Sequence, residues 1–106
     1  MDDWQGIEQR IVEILHESPE RFDPNTIANL HDLVSLARER CPPPKALAKG
    51  YWSTFIVAWD KVELEVFEDR IEVYPHSDGA MDIRYEAHSP RSTFSAEFIA
   101  ELPMLS

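Results

Sequence analysis

Residues 55–74 read FIVAWDKVELEVFEDRIEVY, and bulky apolar side chains occupy alternate positions through most of this stretch. Alternation with a period of two is the pattern of a β-strand that buries one face and exposes the other. The alternation restarts after Asp60–Lys61 and again after Glu68–Asp69, so two short turns separate three strands. The stretch therefore predicts antiparallel strands joined by hairpins.

The register of these strands can be tested, because a slip by one residue would mix the apolar and polar faces. Two-residue turns set Phe55 opposite Val66 in the first pair of strands and Val66 opposite Ile71 in the second. The bulky apolar side chains then share one face of the sheet. The other face carries Glu65 opposite Glu72, a repulsive pair of like charges.

A fourth alternating run, residues 81–86, follows the turn signal Asp78–Gly79. The two earlier turns contain no glycine and are weaker signals. The predicted pairs across the last hairpin are Val73 with Ile83, Ile71 with Tyr85, Arg70 with Glu86, and Glu72 with Arg84. The sequence thus predicts a four-stranded antiparallel meander over residues 51–87.

The residues before the strands have helical periodicity instead. Apolar side chains recur at intervals of three and four in two segments: Trp4, Ile7, Ile11, Ile14 and Leu15, then Ile27, Leu30, Leu33, Val34, Ala37 and Cys41. Asp23–Pro24 is a typical helix start, and Pro42–Pro44 end the second helix because proline lacks the N–H group. We expect a helical hairpin over residues 3–41, packed on the apolar face of the sheet, and a linker over residues 42–50.

A short C-terminal helix is expected over residues 92–102, with Phe94, Phe98, Ile99 and Leu102 on one side and Pro103 as its limit. The chain has no internal repeat and no second linker. Residues 1–106 are therefore interpreted as a single α+β domain.

The composition restricts the classes of partner. Twenty acidic and ten basic side chains give the 106 residues a net charge of −10. This charge argues against sequence-independent nucleic-acid binding and against docking on anionic lipid, since both need Lys and Arg. One cysteine excludes an internal disulfide, and the apolar runs are too short to span a membrane. We expect a cytoplasmic protein.

Sequence motifs for cofactors are missing. Glycine occurs only at positions 6, 50 and 79, so no P-loop or dinucleotide fingerprint can be formed. The sequence has no His-Glu-x-x-His or Cys-x-x-Cys pattern. We therefore expect neither a metal nor another cofactor.

The best candidates for acid–base or metal chemistry are His76, Asp78 and Asp82 in the last hairpin. The turn already explains Asp78, so a solvated turn is the favoured interpretation. Cys41, at a helix C-terminus, is expected to be a small buried hydrophobe rather than a reactive thiolate. The serines and threonines have no histidine at a known motif spacing, and we expect no catalytic residue and no enzyme activity.

Negative charge is concentrated in the sheet. Residues 60–86 hold nine acidic side chains against three basic ones. On the predicted register, acidic and aromatic side chains share the face turned away from the helices. The candidate partner-binding residues are Glu63, Glu65, Phe67, Glu72, Tyr74 and Asp82. The alternatives are a face that is merely solvated, or one that the third helix covers with Phe94 and Phe98.

The leading hypothesis is a small acidic, non-enzymatic binding protein that neutralises a basic partner, such as a nuclease or nucleic-acid-binding protein, by occluding its phosphate-binding surface. Antitoxins, immunity proteins and phage-encoded inhibitors of defence nucleases share this profile of size and charge. The alternative is an accessory or oligomerising domain, compatible with a homodimer, whose contacts are Trp52, Trp59, Met104–Leu105 or an edge strand. A small enzyme around His76 is the third hypothesis.

Overall fold

The computed structural model of the chain describes residues 3–17, 22–50, 52–76 and 83–106. These ranges form three helices and five strands. Their bounds are α1 Asp3–Glu17, α2 Pro24–Arg40, β1 Ala46–Lys49, β2 Phe55–Ala58, β3 Val62–Val66, β4 Arg70–Pro75, β5 Arg84–Ala87 and α3 Ala96–Leu105. The α+β class and the order of helices and strands are confirmed.

The sheet is antiparallel throughout, and its described strands lie in the order β1-β2-β3-β4-β5. The prediction of four strands is wrong, because β1 lies inside the expected linker 42–50. Leu47, opposite Val57, is the one buried side chain of this short strand. Alanine and lysine fill its other positions, so no alternation of bulky residues marks it in the sequence.

The predicted register of β2, β3 and β4 is confirmed, with Phe55 opposite Val66 and Val66 opposite Ile71. The turn between β3 and β4 contains no glycine, and α2 supports it from outside. The buried Asn29 amide donates hydrogen bonds to the carbonyl oxygens of Phe67 (3.0 Å) and Glu68 (3.1 Å). A long-range side-chain contact thus stabilises a turn for which the local sequence gives only a weak signal.

The predicted register of the last hairpin is wrong by one residue. Arg84 lies opposite Val73, and Glu86 lies opposite Ile71. Both polar side chains therefore point to the helix side, at the edge of the core. The Glu86 carboxylate accepts hydrogen bonds from Ser95 N (2.6 Å) and Ser95 Oγ (2.8 Å), and Arg84 forms an ion pair with Glu101. Contacts with α3 thus favour this register over burial of apolar side chains.

The helices α1 and α2 cover the apolar face of the sheet, as expected. Their apolar stripes and the inward side chains of the strands form one buried cluster. The Arg10 guanidinium of α1 donates to the carbonyl oxygen of Leu47 in β1 (3.3 Å). An ion pair of 2.5 Å between Arg38 and Glu8 joins the end of α2 to the first half of α1, as antiparallel helices require.

The C-terminal helix spans Ala96–Leu105 rather than residues 92–102. Ser95 caps it by accepting a hydrogen bond from Phe98 N (3.1 Å), and Pro103 lies inside its last turn. Packing of Leu102 and Leu105 against the core outweighs the hydrogen bond that the proline removes. Phe98 and Leu102 join the same cluster as α1 and α2, so α3 lies on the helix side and leaves the opposite face of the sheet open.

Candidate protein-interaction face

The open side of the sheet is called the outer face here. Cross-strand pairing sets Glu63 beside Tyr74, and Glu65 beside Glu72. The next strand adds Tyr85 beside Glu72, with 71% of its surface exposed. Acidic and aromatic side chains therefore share a face that none of the described helices covers.

Five of the six predicted partner-binding residues lie together. Glu63, Glu65, Glu72 and Tyr74 are half-buried on the outer face, and Phe67 follows β3 at one end of it. The sixth residue, Asp82, lies outside the described residues. The alternative that α3 covers this face with Phe94 and Phe98 is excluded, because both rings are in the core on the other side.

Glu72 is the centre of a hydrogen-bonded network. Its carboxylate accepts from the Arg70 guanidinium (Nε to Oε2, 2.7 Å) and from the hydroxyl of Tyr74. The three residues alternate along β4, so a period of two brings all of them to one face. The Glu72 side chain is only 19% exposed, and the network holds it in a fixed position.

The network changes the acidity of its members. Burial raises the pKa of Glu72, but the hydrogen bonds from Tyr74 and Arg70 outweigh this effect and leave the pKa below its ordinary value. The same hydrogen bond to the Glu72 carboxylate raises the pKa of Tyr74 to about 12. At neutral pH the network therefore consists of a carboxylate, a guanidinium and a neutral phenol.

Arg70 is held on three sides. Its guanidinium carbon lies 3.9 Å from the centre of the Phe67 ring, and the guanidinium also bonds Asp69 (2.8 Å) in addition to Glu72. Its positive charge is therefore compensated within the network. The remaining carboxylates of the outer face, Glu63 and Glu65, carry charge that Arg70 does not neutralise.

The Glu65 and Glu63 carboxylates have no ion-pair partner among the described residues. The Glu65 carboxylate accepts a hydrogen bond from the hydroxyl of Thr54, which is a neutral donor. Within the described part of the chain, the Glu63 carboxylate has neither an ion-pair nor a hydrogen-bond partner. These two groups give the outer face its net negative potential.

An open hollow of about 350 Å³ lies at the end of the outer face near the β3–β4 turn. Its walls are the side chains of Trp52, Glu65, Phe67, Arg70, Glu72 and Tyr74. Trp52 comes from the β1–β2 connection and is 72% exposed. A tryptophan, a tyrosine and an arginine thus meet around two carboxylates, the residue types that dominate binding energy at protein interfaces.

The β1–β2 connection, which carries Trp52, is tightly packed. Gly50 N donates to Thr54 O at 2.7 Å, and an added Cβ at Gly50 would lie 2.1 Å from Thr54 Oγ1. Ser53 adopts a left-handed backbone conformation with φ of 59°, which is strained for a residue with a side chain. A tight glycine contact and a strained serine therefore fix the segment on either side of Trp52.

Neither Trp52 nor Arg70 is among the partner-binding residues predicted from the sequence. The predicted register places Arg70 on this face but pairs it with Glu86, and Trp52 is predicted only as a contact of an oligomer. The alternation Arg70-x-Glu72-x-Tyr74 is the signal that one face of β4 holds all three. The position of Trp52 depends on β1, the strand that the sequence did not reveal.

Asp32, His88 and Ser92 form the one Asp-His-Ser arrangement among the described residues. His88 is buried, with Nε2 2.8 Å from Asp32 Oδ2 and Nδ1 3.3 Å from Ser92 Oγ. The Ser92 hydroxyl lies closer to the carbonyl oxygen of Ser89, at 2.6 Å, and this bond closes a local turn. The hydroxyl donates this shorter bond, with His88 Nδ1 as a longer second contact, and the arrangement acts as a clamp between α2 and the segment before α3.

The other candidates for chemistry have simpler surroundings. His76 is exposed at the end of β4, whereas Asp78 and Asp82 lie outside the described residues. Cys41 is buried, and this burial raises the pKa of its thiol, which disfavours the thiolate. Among the described residues, no group of three or more His, Cys, Asp or Glu side chains is arranged to hold a metal ion. Each helix in the described ranges is too short or too polar to span a lipid bilayer.

Comparison with known proteins gives no relative from which a function could be transferred, since no family model, curated protein or solved structure matches the chain.

Proposed function

We propose that the chain is a cytoplasmic, non-enzymatic binding protein that neutralises a basic partner through the outer face of its sheet. The partner is a nuclease or another nucleic-acid-binding protein, and the mechanism is occlusion of the surface that holds phosphates. The observation that carries the proposal is that the three described helices all pack on one side of the sheet, so none of them covers the acidic and aromatic side chains on the other. A face with a merely solvating role needs no exposed tryptophan or tyrosine.

Charge supports a basic partner. The net charge of −10 attracts cationic proteins over a distance of about 10 Å at moderate salt. Glu63 and Glu65 add local negative charge at the contact surface. These two carboxylates would replace the counterions of the Lys and Arg side chains in the partner's phosphate-binding groove. Association is therefore expected to be fast at low salt and to slow as salt increases.

The hydrogen-bonded network supports a specific contact rather than a diffuse one. Arg70, Glu72 and Tyr74 are held in position before any partner binds. A preorganised surface loses less side-chain entropy on association than a mobile one. The network thus supplies the rigid centre of an interface, and Glu63 and Glu65 supply the charge.

The experiment is a tagged capture from the native host's lysate after nuclease treatment, with washes at low and at high salt. Three baits are compared: the natural chain, Glu63→Gln/Glu65→Gln, and Glu17→Gln/Glu39→Gln, which changes the charge equally on the helix side. We expect one basic, nucleic-acid-binding protein to be retained at low salt by the first and third baits. The second bait should release it at lower salt, because the local charge is gone.

Three outcomes contradict the proposal. Equal loss of the captured protein from both double variants would mean that net charge alone is responsible, without a role for the outer face. Capture of an acidic protein, or retention by all three baits at high salt, would exclude charge-based neutralisation. Circular dichroism of each variant checks that the fold is retained.

Association through the edge strand β5 is the second candidate function. The strand pairs with β4 on one side only within the described residues, and Ile83 and Tyr85 are 58% and 71% exposed. Such an edge can extend a sheet into a second chain. A stable, salt-independent homodimer in sedimentation at micromolar concentration would favour this accessory or oligomerising role.

A further inference from the structure

We propose that the hollow between Trp52, Glu65 and Tyr74 is a receptor for a single guanidinium side chain of the basic partner. This inference rests on the proposed function and identifies the chemical group that gives it specificity. The hollow is an open recess, so it suits the end of one long side chain rather than an enclosed small molecule.

The charge inside the hollow favours a cation. Two carboxylates, Glu65 and Glu72, line it together with one guanidinium, that of Arg70. Arg70 is already paired with Glu72 and Asp69 and lies over the Phe67 ring. Glu65 is bonded only to the neutral hydroxyl of Thr54 among the described residues, so its charge is available to an incoming cation.

The aromatic walls favour a planar cation. Trp52 is highly exposed, and the hydroxyl of Tyr74 is fixed by Glu72, which holds the ring in one orientation. An arginine side chain can stack on an aromatic ring and at the same time donate two hydrogen bonds to a carboxylate, whereas an ammonium group cannot do both as well. The combination of Trp52, Tyr74 and Glu65 therefore selects arginine over lysine.

The backbone next to Trp52 is strained, so holding this side chain in position costs conformational free energy. Ser53 is held in the left-handed region, a conformation that persists only where the surrounding structure enforces it. The close approach of Gly50 to Thr54 and Glu65 keeps the connection against the sheet. Strain next to an exposed tryptophan is typical of a recognition segment rather than of a passive loop.

The experiment is a titration of the isotope-labelled full chain with N-acetyl-arginine amide, followed by two-dimensional NMR. N-acetyl-citrulline amide, which has nearly the same shape without the charge, and N-acetyl-lysine amide are the matched probes. We expect the arginine probe to shift the Trp52 indole signal and the Glu65 amide signal in a saturable way. The citrulline probe should leave them unchanged, and the lysine probe should bind more weakly.

Two variants test the assignment of residues. Trp52→Ala and Glu65→Gln should each lower the affinity for the arginine probe by about two- to fivefold. Glu17→Gln, on the helix side, should leave its affinity unchanged. Saturable shifts that appear equally with citrulline, or that persist with full affinity in both variants, would overturn the proposal.

The two proposals fail in distinguishable ways. If the arginine probe leaves the hollow unchanged while Glu63→Gln/Glu65→Gln still releases a basic partner, the guanidinium receptor is wrong and the proposed function stands. If the probe binds the hollow but no basic protein depends on the outer face, the proposed function is wrong.

Discussion

Gly50 gives the sharpest test of how the β1–β2 connection is built. In Gly50→Ala, the new methyl carbon would lie 2.1 Å from Thr54 Oγ1 and 3.0 Å from Glu65 Oε2, so the Thr54 hydroxyl has to move. Its hydrogen bond to the Glu65 carboxylate is then lost, at a cost of about 1.5–3 kcal/mol for a bond to a charged group. Alanine recovers about 0.4–1 kcal/mol by restricting the unfolded chain. We expect a net loss of about 1–2 kcal/mol in the free energy of unfolding.

The assay is urea unfolding followed by far-ultraviolet circular dichroism, with Thr54→Ala as the second background. Removal of the hydroxyl eliminates the 2.1 Å contact and leaves the milder contacts with Glu65 Oε2 (3.0 Å) and the Cβ of residue 54 (3.3 Å), so Gly50→Ala should cost less than about 1 kcal/mol in that background. An equal cost in both backgrounds, or no cost in either, would refute the argument that the Thr54–Glu65 contact requires glycine at this position.

Three further predictions concern the network, the clamp and the strained turn. An absorbance titration, with Tyr74→Phe as the reference protein, should give a pKa of about 12 for Tyr74. In Glu72→Gln this pKa should fall towards 10. Since the folded pKa is the higher one, this bond's contribution to stability should be complete below pH 10 and be lost as the pH rises through about 12. In urea unfolding, His88→Phe should cost about 1–3 kcal/mol and Ser92→Ala under about 1 kcal/mol, because His88 bridges two segments whereas Ser92 closes a local turn. By the same measurement, Ser53→Gly should be neutral within about 0.5 kcal/mol, whereas Ser53→Val should cost more than about 1 kcal/mol because a β-branched residue resists a positive φ.

At acidic pH the stability of the fold should depend on Glu72, and here it should decrease as the pH falls. The pKa of Glu72 is below its ordinary value of 4.5, so the contribution of this carboxylate to stability is present above pH 4.5. It is lost as the pH falls through the lower pKa of the folded state. In unfolding experiments between pH 5 and 2, Glu72→Gln should therefore remove part of the decrease in stability.

The parts of the fold that follow from the sequence are those with regular burial. Strands β2, β3 and β4 alternate bulky apolar side chains, so that a slip of one residue would expose the core, and their register was predictable. The stripes of α1 and α2 were predictable for the same reason. The pattern of buried apolar side chains is enough to predict these elements.

The errors occur where long-range contacts decide the structure or where the local sequence has no regular pattern. The β4–β5 register depends on Glu86 and Arg84 meeting α3, and the end of α3 depends on packing around Pro103. Strand β1 buries a single leucine, so its sequence has no alternation of bulky apolar residues from which a strand could be predicted. In the candidate site, alternation predicted that Glu63, Glu65, Glu72 and Tyr74 share a face, but the role of Arg70 required knowing that it bonds Glu72 within its own strand.

Competition with nucleic acid tests the central claim most directly. The basic protein captured at low salt is bound to a labelled oligonucleotide and titrated with the natural chain, with Glu63→Gln/Glu65→Gln or with Glu17→Gln/Glu39→Gln. The account predicts that the natural chain and the helix-side variant displace the oligonucleotide, while the outer-face variant needs a clearly higher concentration at low salt. A ternary complex in which the partner still holds the oligonucleotide, or equal displacement by all three chains, would contradict it.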